Sequence, residues 1–375
     1  MPPGPLKGQK MTLKVLHVID HLGFGGGQMS VRTIVENITS SKIECLICQL
    51  RAAPETIPLN AKVITLNYKK YDPRTVFALA RLCREHKIDV LHAHLQKSII
   101  SCLLVSCFYG VPVVVHEHGA IFSKEAFSSI YRLLLRMLYR RASVIIANSQ
   151  ATANELIKRA AVKKDYIKVI YNSIDFGIFD YRKVSREESR RNLDISNEDF
   201  VIGFVGRLHP VKGVDILIRA FAGLLKQSPR YSLVLAGDGP QREYLEALTS
   251  QLGIANRVRF LGMLEDIPQI MAAFDVGVVP SRQESFGIAL IELMSMKIPV
   301  ISSGREGLAE LVEDKITGLV VRDNNMDEIR LCIQRLAEDE CLRNRLAEAA
   351  YTFSEKFKPE EQVKKIEEIY ERVHD

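Results

Sequence analysis

The sequence predicts an α/β protein made of two doubly wound domains with mostly parallel sheets. Two observations carry that prediction. Short apolar, β-rich runs alternate with helical stretches, as βαβ units require. The alternation also starts twice, at KVLHVI (14–19) and again at FVIGFVGRL (200–208). A chain of 375 residues suits two or three domains, and the expected division is 1–180 and 181–355.

In the first half, KVLHVI runs into a glycine-rich turn and a helix starting near Met29. ECLICQL, AKVITLN, DVLHAH, VPVVVHEH and SVIIANS follow as strands, with RTVFALARLCREHK and YRLLLRMLYRRA as helices between them. Ser98 to Val115 carries no charge over 18 positions, about the minimum for a membrane span. Gly110 and Pro112 interrupt it, so it reads as helix, turn and strand. Residues 176–199 are polar and charge-dense, the composition of a linker or an exposed connecting helix. The second half continues with YSLVLAG, RVRFLG, DVGVVPS, IPVISS and GLVV, and after about residue 325 only helical patterns remain.

Composition excludes several classes. With 47% apolar and 26% charged residues, the chain is neither disordered nor fibrous. It has no Trp and 7% aromatics, which supplies base-stacking and carbohydrate-lectin platforms poorly, and no nucleic-acid partner is expected. Residues 1–180 hold 24 Lys+Arg against 13 Asp+Glu, and the remainder 27 against 32. A basic half joined to an acidic half points the first half towards something anionic, such as a phosphorylated substrate or a membrane surface. Cys45 and Cys48 form a lone C-x-x-C without a second pair to complete a zinc site. The seven cysteines read as reduced thiols, and MPPGPLKGQK lacks the apolar region of a signal peptide. A cytoplasmic protein is expected.

The chemistry is concentrated in three turns. Gly23, Gly25, Gly26 and Gly27 precede a helix, where backbone N–H groups can approach an anion closely. Gln28 breaks the G-x-G-x-x-G spacing and the second strand runs into Arg51 instead of an acid, so a dinucleotide cofactor is not indicated. GRLHPVKG (206–213) lacks the ending of an ATPase P-loop but offers Arg207 and Lys212, a fork and a point charge suited to a diphosphate. In PSRQESFGIALIELMS, Glu284 sits just before a helix and Glu292 follows eight positions later, roughly two turns along if the helix begins close behind Glu284. Ser285, Phe286 and Gly287 would present backbone N–H groups at that helix start. Glu292 interrupts an apolar face and needs a partner, for which vicinal ribose hydroxyls are suited.

Together these residues resemble glycosyltransferase family 4: G-x-L-x-x-x-K-G, E-S-F-G with a second Glu eight residues on, and the glycine-rich first turn. VIIANSQAT, VIYNSID, LVLAGDGP, RVRFLG and the G-x-x-E of Gly307–Glu310 extend the likeness across nearly the whole chain. The resemblance implies the GT-B fold, two Rossmann-like domains facing across a cleft, with the final helix (about 356–375) packing back on the first. It implies a second domain that holds a nucleotide-diphosphate sugar. Arg207 and Lys212 would clamp the diphosphate, with Gly25 and Gly26 above it. Glu284 and the Ser285–Gly287 amides would position the donor sugar, Glu292 would bind the ribose, and Met263 and Leu264 would hold the base. His118, followed by Gly119, would face the reacting sugar. Glu117 and Glu306 stand where the family more often has a small or hydroxylated residue and a glycine, which bears on sugar or acceptor choice.

The expected activity is retaining transfer of a hexose from a nucleotide sugar, UDP-linked by family prevalence, to a hydroxyl of a lipid-linked or cell-envelope glycan. No cofactor and no metal are expected; Glu284 and His118 are the candidate catalytic groups. Three rival activities stand beside it: nucleotide-sugar epimerisation, glycan phosphorolysis, and metal-assisted hydrolysis at the pairs His92/His94 and His116/His118. A non-catalytic binding module is a further alternative. Arg132, Arg136 and Arg140 form one stripe of a helix expected over Phe127–Arg141, with Ile130, Leu134, Met137 and Leu138 elsewhere. Such a helix suits peripheral contact with an anionic inner membrane face.

Overall fold

A computed structural model describes residues 12–69, 72–119, 129–322 and 325–374. The chain forms two compact units, Met1–Ser173 with Pro359–Asp375, and Ile174–Lys358. The boundary thus falls before the expected residue 180, and the chain returns to the first unit at Pro359.

The first unit contains a seven-stranded parallel sheet: β1 (Leu13–Ile19), β2 (Ile43–Gln49), β3 (Val63–Thr65), β4 (Val90–His94), β5 (Val113–Glu117), β6 (Val144–Ala147) and β7 (Ile167–Val169). Their order is β3-β2-β1-β4-β5-β6-β7. The central strands are buried along nearly their whole length, which is why they read as continuous apolar runs. β7 was not predicted: it has three residues, and Lys168 at its centre points to solvent. The uncharged stretch folds as helix Gln96–Tyr109, ended by Gly110 at φ 70°, followed by β5. No helix among the described residues is long and apolar enough to cross a membrane. One face of the sheet is closed by helix Pro359–His374, whose Ile366, Ile369 and Tyr370 join Val15, Val90, Val114 and Ile146 in a buried cluster.

The second unit has six parallel strands: β8 (Phe200–Val205), β9 (Tyr231–Ala236), β10 (Val258–Gly262), β11 (Val276–Val279), β12 (Val300–Ser302) and β13 (Leu319–Val320). They are ordered β10-β9-β8-β11-β12-β13. Gly203 in β8 is required by packing, since a Cβ there would lie 1.9 Å from the Phe274 ring.

Residues 176–199, expected as a linker or an exposed connecting helix, contain a short and mostly exposed helix, yet the segment is an integral part of this unit. Its helix Arg186–Asn192 carries Arg190, which is 1% exposed. The Arg190 guanidinium donates to the carbonyls of Ala273, Asn197 and Asp199 and pairs with Asp275 at 2.6 Å. Charge density misled here because one arginine fork saturates the carbonyls of a buried turn. We expect Arg190→Ala to destabilise the second unit by about 3 kcal/mol, as for a broken buried pair. Urea unfolding followed by circular dichroism checks this, and an unchanged midpoint would contradict it.

Candidate active site

In parallel sheets, ligands bind where the strand order reverses, outside the carboxyl ends of the strands. In the second unit that point lies between β8 and β11, and the loops Gly206–Gly213 and Pro280–Gly287 flank it. The two loops are tied together. Gly213 adopts φ 68°, and a Cβ there would sit 2.2 Å from the Pro280 carbonyl oxygen. The Arg282 N–H donates to the Val211 carbonyl at 2.7 Å. Its guanidinium donates to the Pro210 carbonyl and pairs with Asp215 at 2.7 Å. Burial works to raise the Asp215 pKa, but the Arg282 hydrogen bonds and charge outweigh it and hold the carboxyl below its usual range.

Across this junction Lys212 and Glu284 form an ion pair. The Ser281 hydroxyl donates to the same Glu284 oxygen at 3.3 Å. The Glu284 N–H donates to the Glu306 carboxylate at 2.9 Å, and the Glu284 carbonyl accepts from the Gly307 N–H at 2.9 Å. Glu306 holds φ 50°, the left-handed conformation that glycine adopts without strain. Gly307 must be glycine, because a Cβ there would lie 2.1 Å from the Ser285 carbonyl oxygen. Arg207 stands exposed at the start of the β8 loop, and Met263, followed by the partly buried Leu264, is exposed just after β10. Phe286 departs from a ligand role in its side chain, which is 1% exposed and packs edge-on against Phe357, so that it anchors the loop.

The structure corrects the expected helix register. The helix spans Ile288–Ser295 after Gly287 at φ 108°, so Glu292 lies about one turn along it instead of two. Glu292 is partly buried and pairs with no cation among the described residues. Burial pushes its carboxyl up to about 7. A hollow of about 450 Å³ lined by Arg191, Asp199, Arg257 and Arg259 opens at the opposite, amino end of β8–β10, away from all of these loops.

In the first unit the order reverses between β1 and β4. The glycine turn after β1 leads into helix Gly26–Glu36. Gly25 has φ 168°, an extended conformation open to any residue, so the turn does not need glycine for left-handed backbone there. Gly27 sits close to its neighbours: a Cβ there would lie 3.0 Å from Leu95, tight enough that the leucine would have to shift, and in ordinary contact at 3.6 Å with the His118 ring. Leu95 itself is held at φ 67°, strain stored beside the site. Asp20 pairs with Arg51 at 2.6 Å and Lys97 at 2.7 Å, so Arg51 completes an ion cluster at the β1–β4 junction. The carboxyl of Glu117 accepts from the Tyr139 hydroxyl, and burial pushes it up to about 7. It lies on the strand face opposite His116 and His118.

The predicted histidine pairs do converge, and His17 joins them. The nitrogens of His17, His92 and His94, and those of His94, His116 and His118, lie within 4.8 Å of one another. Cys45 and Cys48, three apart on β2, face opposite sides of the sheet and cannot share one ion. Both are free thiols pushed up to about 12 by burial. The sequence did not signal Arg282, Asp215, His17 or Tyr370, because their partners lie 67 to 353 residues away.

The model of the family described as Glycosyltransferase Family 4 matches residues 24–177, and that of Glycosyl transferases group 1 matches 185–353. An uncharacterised glycosyltransferase of Methanocaldococcus jannaschii is 32% identical over 68% of this chain and 67% of its own. Alpha-D-kanosaminyltransferase of Streptomyces kanamyceticus is 30% identical over 72% and 73%. The crystal structure of Anabaena HepE in complex with UDP-glucose superposes with a TM-score of 0.85 at 27% identity, covering 96% of this chain and 100% of that one.

Glu292 sets a pH-dependent stability. Its folded pKa of about 7 exceeds the unfolded value of 4.5, so the stability it contributes is complete below 4.5 and is lost as pH rises through 7. Relative to Glu292→Gln, the wild type should lose stability between about pH 4.5 and 7 and run parallel to it above 7. Parallel urea-unfolding curves across that whole range would contradict the assignment.

Proposed function

The chain belongs to the family 4 and group 1 glycosyltransferases, and from that premise we propose that it is a retaining hexosyltransferase using a UDP-linked sugar. The observation that carries this reading is the meeting of Lys212, Glu284 and Glu306 at the β8–β11 reversal. A lysine ammonium has three donors, so Lys212 can keep Glu284 in place while it holds a diphosphate oxygen. Arg207 adds the second positive charge. Glu284 and the amides of Ser285–Gly287 accept and donate to the sugar hydroxyls, Glu292 accepts from the ribose, and Met263 and Leu264 border the base. Gly25 and Gly26 supply amides towards the diphosphate. HepE, solved with UDP-glucose, supports UDP as the nucleotide.

In the reaction the acceptor oxygen forms its bond to the anomeric carbon on the face from which the sugar–phosphate bond breaks. The departing phosphate oxygen takes the acceptor proton, and His118 hydrogen-bonds the sugar. Arg207, Lys212 and the helix-terminal amides stabilise the negative charge gathering on the diphosphate, so no metal is required. Among the described residues, the side chains placed to share an ion are the first-unit histidines, none of them in the donor loops.

Lys212→Ala and Glu284→Ala should each lower transfer ~10²–10³-fold with the fold retained. The assay uses UDP-glucose and a panel of other nucleotide sugars, with released nucleotide as readout and excess chelator present. Normal turnover in either variant would refute the donor assignment, and loss of wild-type activity in chelator would refute metal independence.

We propose a lipid-linked acceptor reached from an anionic bilayer surface. Helix Ser129–Tyr139 turns Leu135 and Tyr139 inward and leaves Leu133 and Met137 more than half exposed, with Arg140 and Arg141 beside them and Phe108 75% exposed on the preceding helix. Phe127 and the side chains of Ile130, Arg132 and Leu134 lie outside the described residues. Arg136 is engaged elsewhere, donating to the Arg159 carbonyl. Anionic phosphatidylglycerol vesicles should sediment the protein at low salt, and Leu133→Asp with Met137→Asp should abolish this. Equal sedimentation of the variant, or none of the wild type, would remove the membrane reading.

A further inference from the structure

Five imidazoles occupy one face of the first unit's sheet. β1 and β4 pair His17 with His92, and β4 and β5 pair His94 with His116. His118 follows β5, on the face of His116 by the two-residue repeat of a strand.

His94, His116 and His118 stand together at the carboxyl end of β4 and β5. One nitrogen from each ring lies within 4.8 Å of the other two, and the ring centroids are 4.1 to 5.4 Å apart. His94 Nδ1 lies 3.0 Å from His118 Nε2. His116 has no exposed surface, and neither of its nitrogens has a hydrogen-bond partner. A neutral imidazole carries one hydrogen and one lone pair. With its hydrogen on the nitrogen turned away, His116 presents a lone pair to the other two rings, and no donor meets it. Burial holds all three rings neutral, His118 at about 3 and the others well below their usual value, and neutral imidazole is the form that binds metals. His94 is steadied from its far side, where Nε2 lies 3.1 Å from His17 Nδ1, the kind of support that metal-bound histidines have.

We propose that His94, His116 and His118 form a binding site for one borderline divalent transition-metal ion of the zinc class. His94 Nδ1, His118 Nε2 and one His116 nitrogen are the ligands. Three imidazoles without a carboxylate select zinc, copper or nickel over magnesium or calcium, and they leave one position of a tetrahedral ion open. Two nitrogens on a tetrahedral zinc stand about 3.3 Å apart, a few tenths more than His94 and His118 do, and a small turn of the His118 ring supplies the difference. His118 is partly exposed, which gives the ion a way in. The neighbouring set of His17, His92 and His94 also comes within 4.8 Å, but it has no exposed surface. The Tyr370 oxygen there already engages His17 Nε2 at 3.3 Å and His92 Nδ1 at 2.5 Å. The site lies outside the donor loops and adds nothing to the proposed chemistry at the diphosphate. An ion there occupies His118, so zinc should inhibit transfer; this consequence rests on the proposed contact of His118 with the reacting sugar, and the metal site does not.

The test uses the full chain without an affinity tag, freed of metal by chelator and then given zinc. One zinc per chain should be retained, and zinc-edge X-ray absorption should show imidazole nitrogens at about 2.0–2.1 Å and no sulfur. His116→Gln should weaken zinc binding, measured by calorimetry, by more than the ~10–100-fold that losing a ligand's support costs. His92→Gln should leave it unchanged. A wild type that retains no zinc, a sulfur ligand in its spectrum, or binding lost in His92→Gln and kept in His116→Gln would overturn the proposal. If His116→Gln does not fold, the wild-type stoichiometry and spectrum decide alone. One equivalent of zinc should also lower transfer, and chelator should restore it. Zinc held by the three histidines with transfer undiminished would instead sink the role of His118 in the reaction and leave the site standing.

Discussion

The reversal of strand order between β8 and β11 is the constraint on which the second unit's chemistry depends. Chain segments leaving two adjacent parallel strands in opposite lateral directions leave a gap that neither covers. Here the gap is bridged by few and specific contacts: Gly213 against Pro280, Arg282 against Val211 and Asp215, Lys212 against Glu284. Lys212 and Glu284 are 72 residues apart in the chain, yet the topology leaves them no other neighbourhood. The pair is partly desolvated, its side chains 26% and 14% exposed, so its electrostatics are stronger than those of a surface pair.

The rigidity of that arrangement comes from glycines at close approaches. Gly307 lets the β12 loop lie directly on Ser285, and Gly237 lets the β9 loop touch Gly206. Glu306 shows the other side of the same requirement. It keeps the left-handed backbone where a side chain is strained, and its carboxylate caps the Glu284 N–H. A residue that departs from the family's glycine therefore brings a negative charge to the edge of the proposed sugar site.

Much of the fold was legible because parallel strands are short and mostly buried and apolar, and among the described residues every strand except β7 lies in such a short apolar run. β7 does not, being three residues with an exposed lysine at its centre. The residues proposed to hold the donor could be singled out because Arg207, Lys212, Glu284 and Glu292 lie on short motifs. Their supports could not be: Arg282–Asp215 and Arg190–Asp275 join distant segments, and a single sequence has no periodicity that reports such a pair. His17 and Tyr370 were hidden for the same reason, since the returning helix closes a contact across 353 residues. Polar composition in 176–199 concealed a buried arginine because its partners are main-chain carbonyls, which leave no trace in side-chain pattern.

The central claim is that Lys212 and Glu284 hold the donor as one unit. A double-mutant cycle on UDP-glucose binding, measured by calorimetry with Lys212→Met, Glu284→Gln and the double variant, addresses it directly. The account predicts strong non-additivity, with the double variant binding little worse than the weaker single one. Losses that simply add would mean the two side chains act independently, and the account would be wrong.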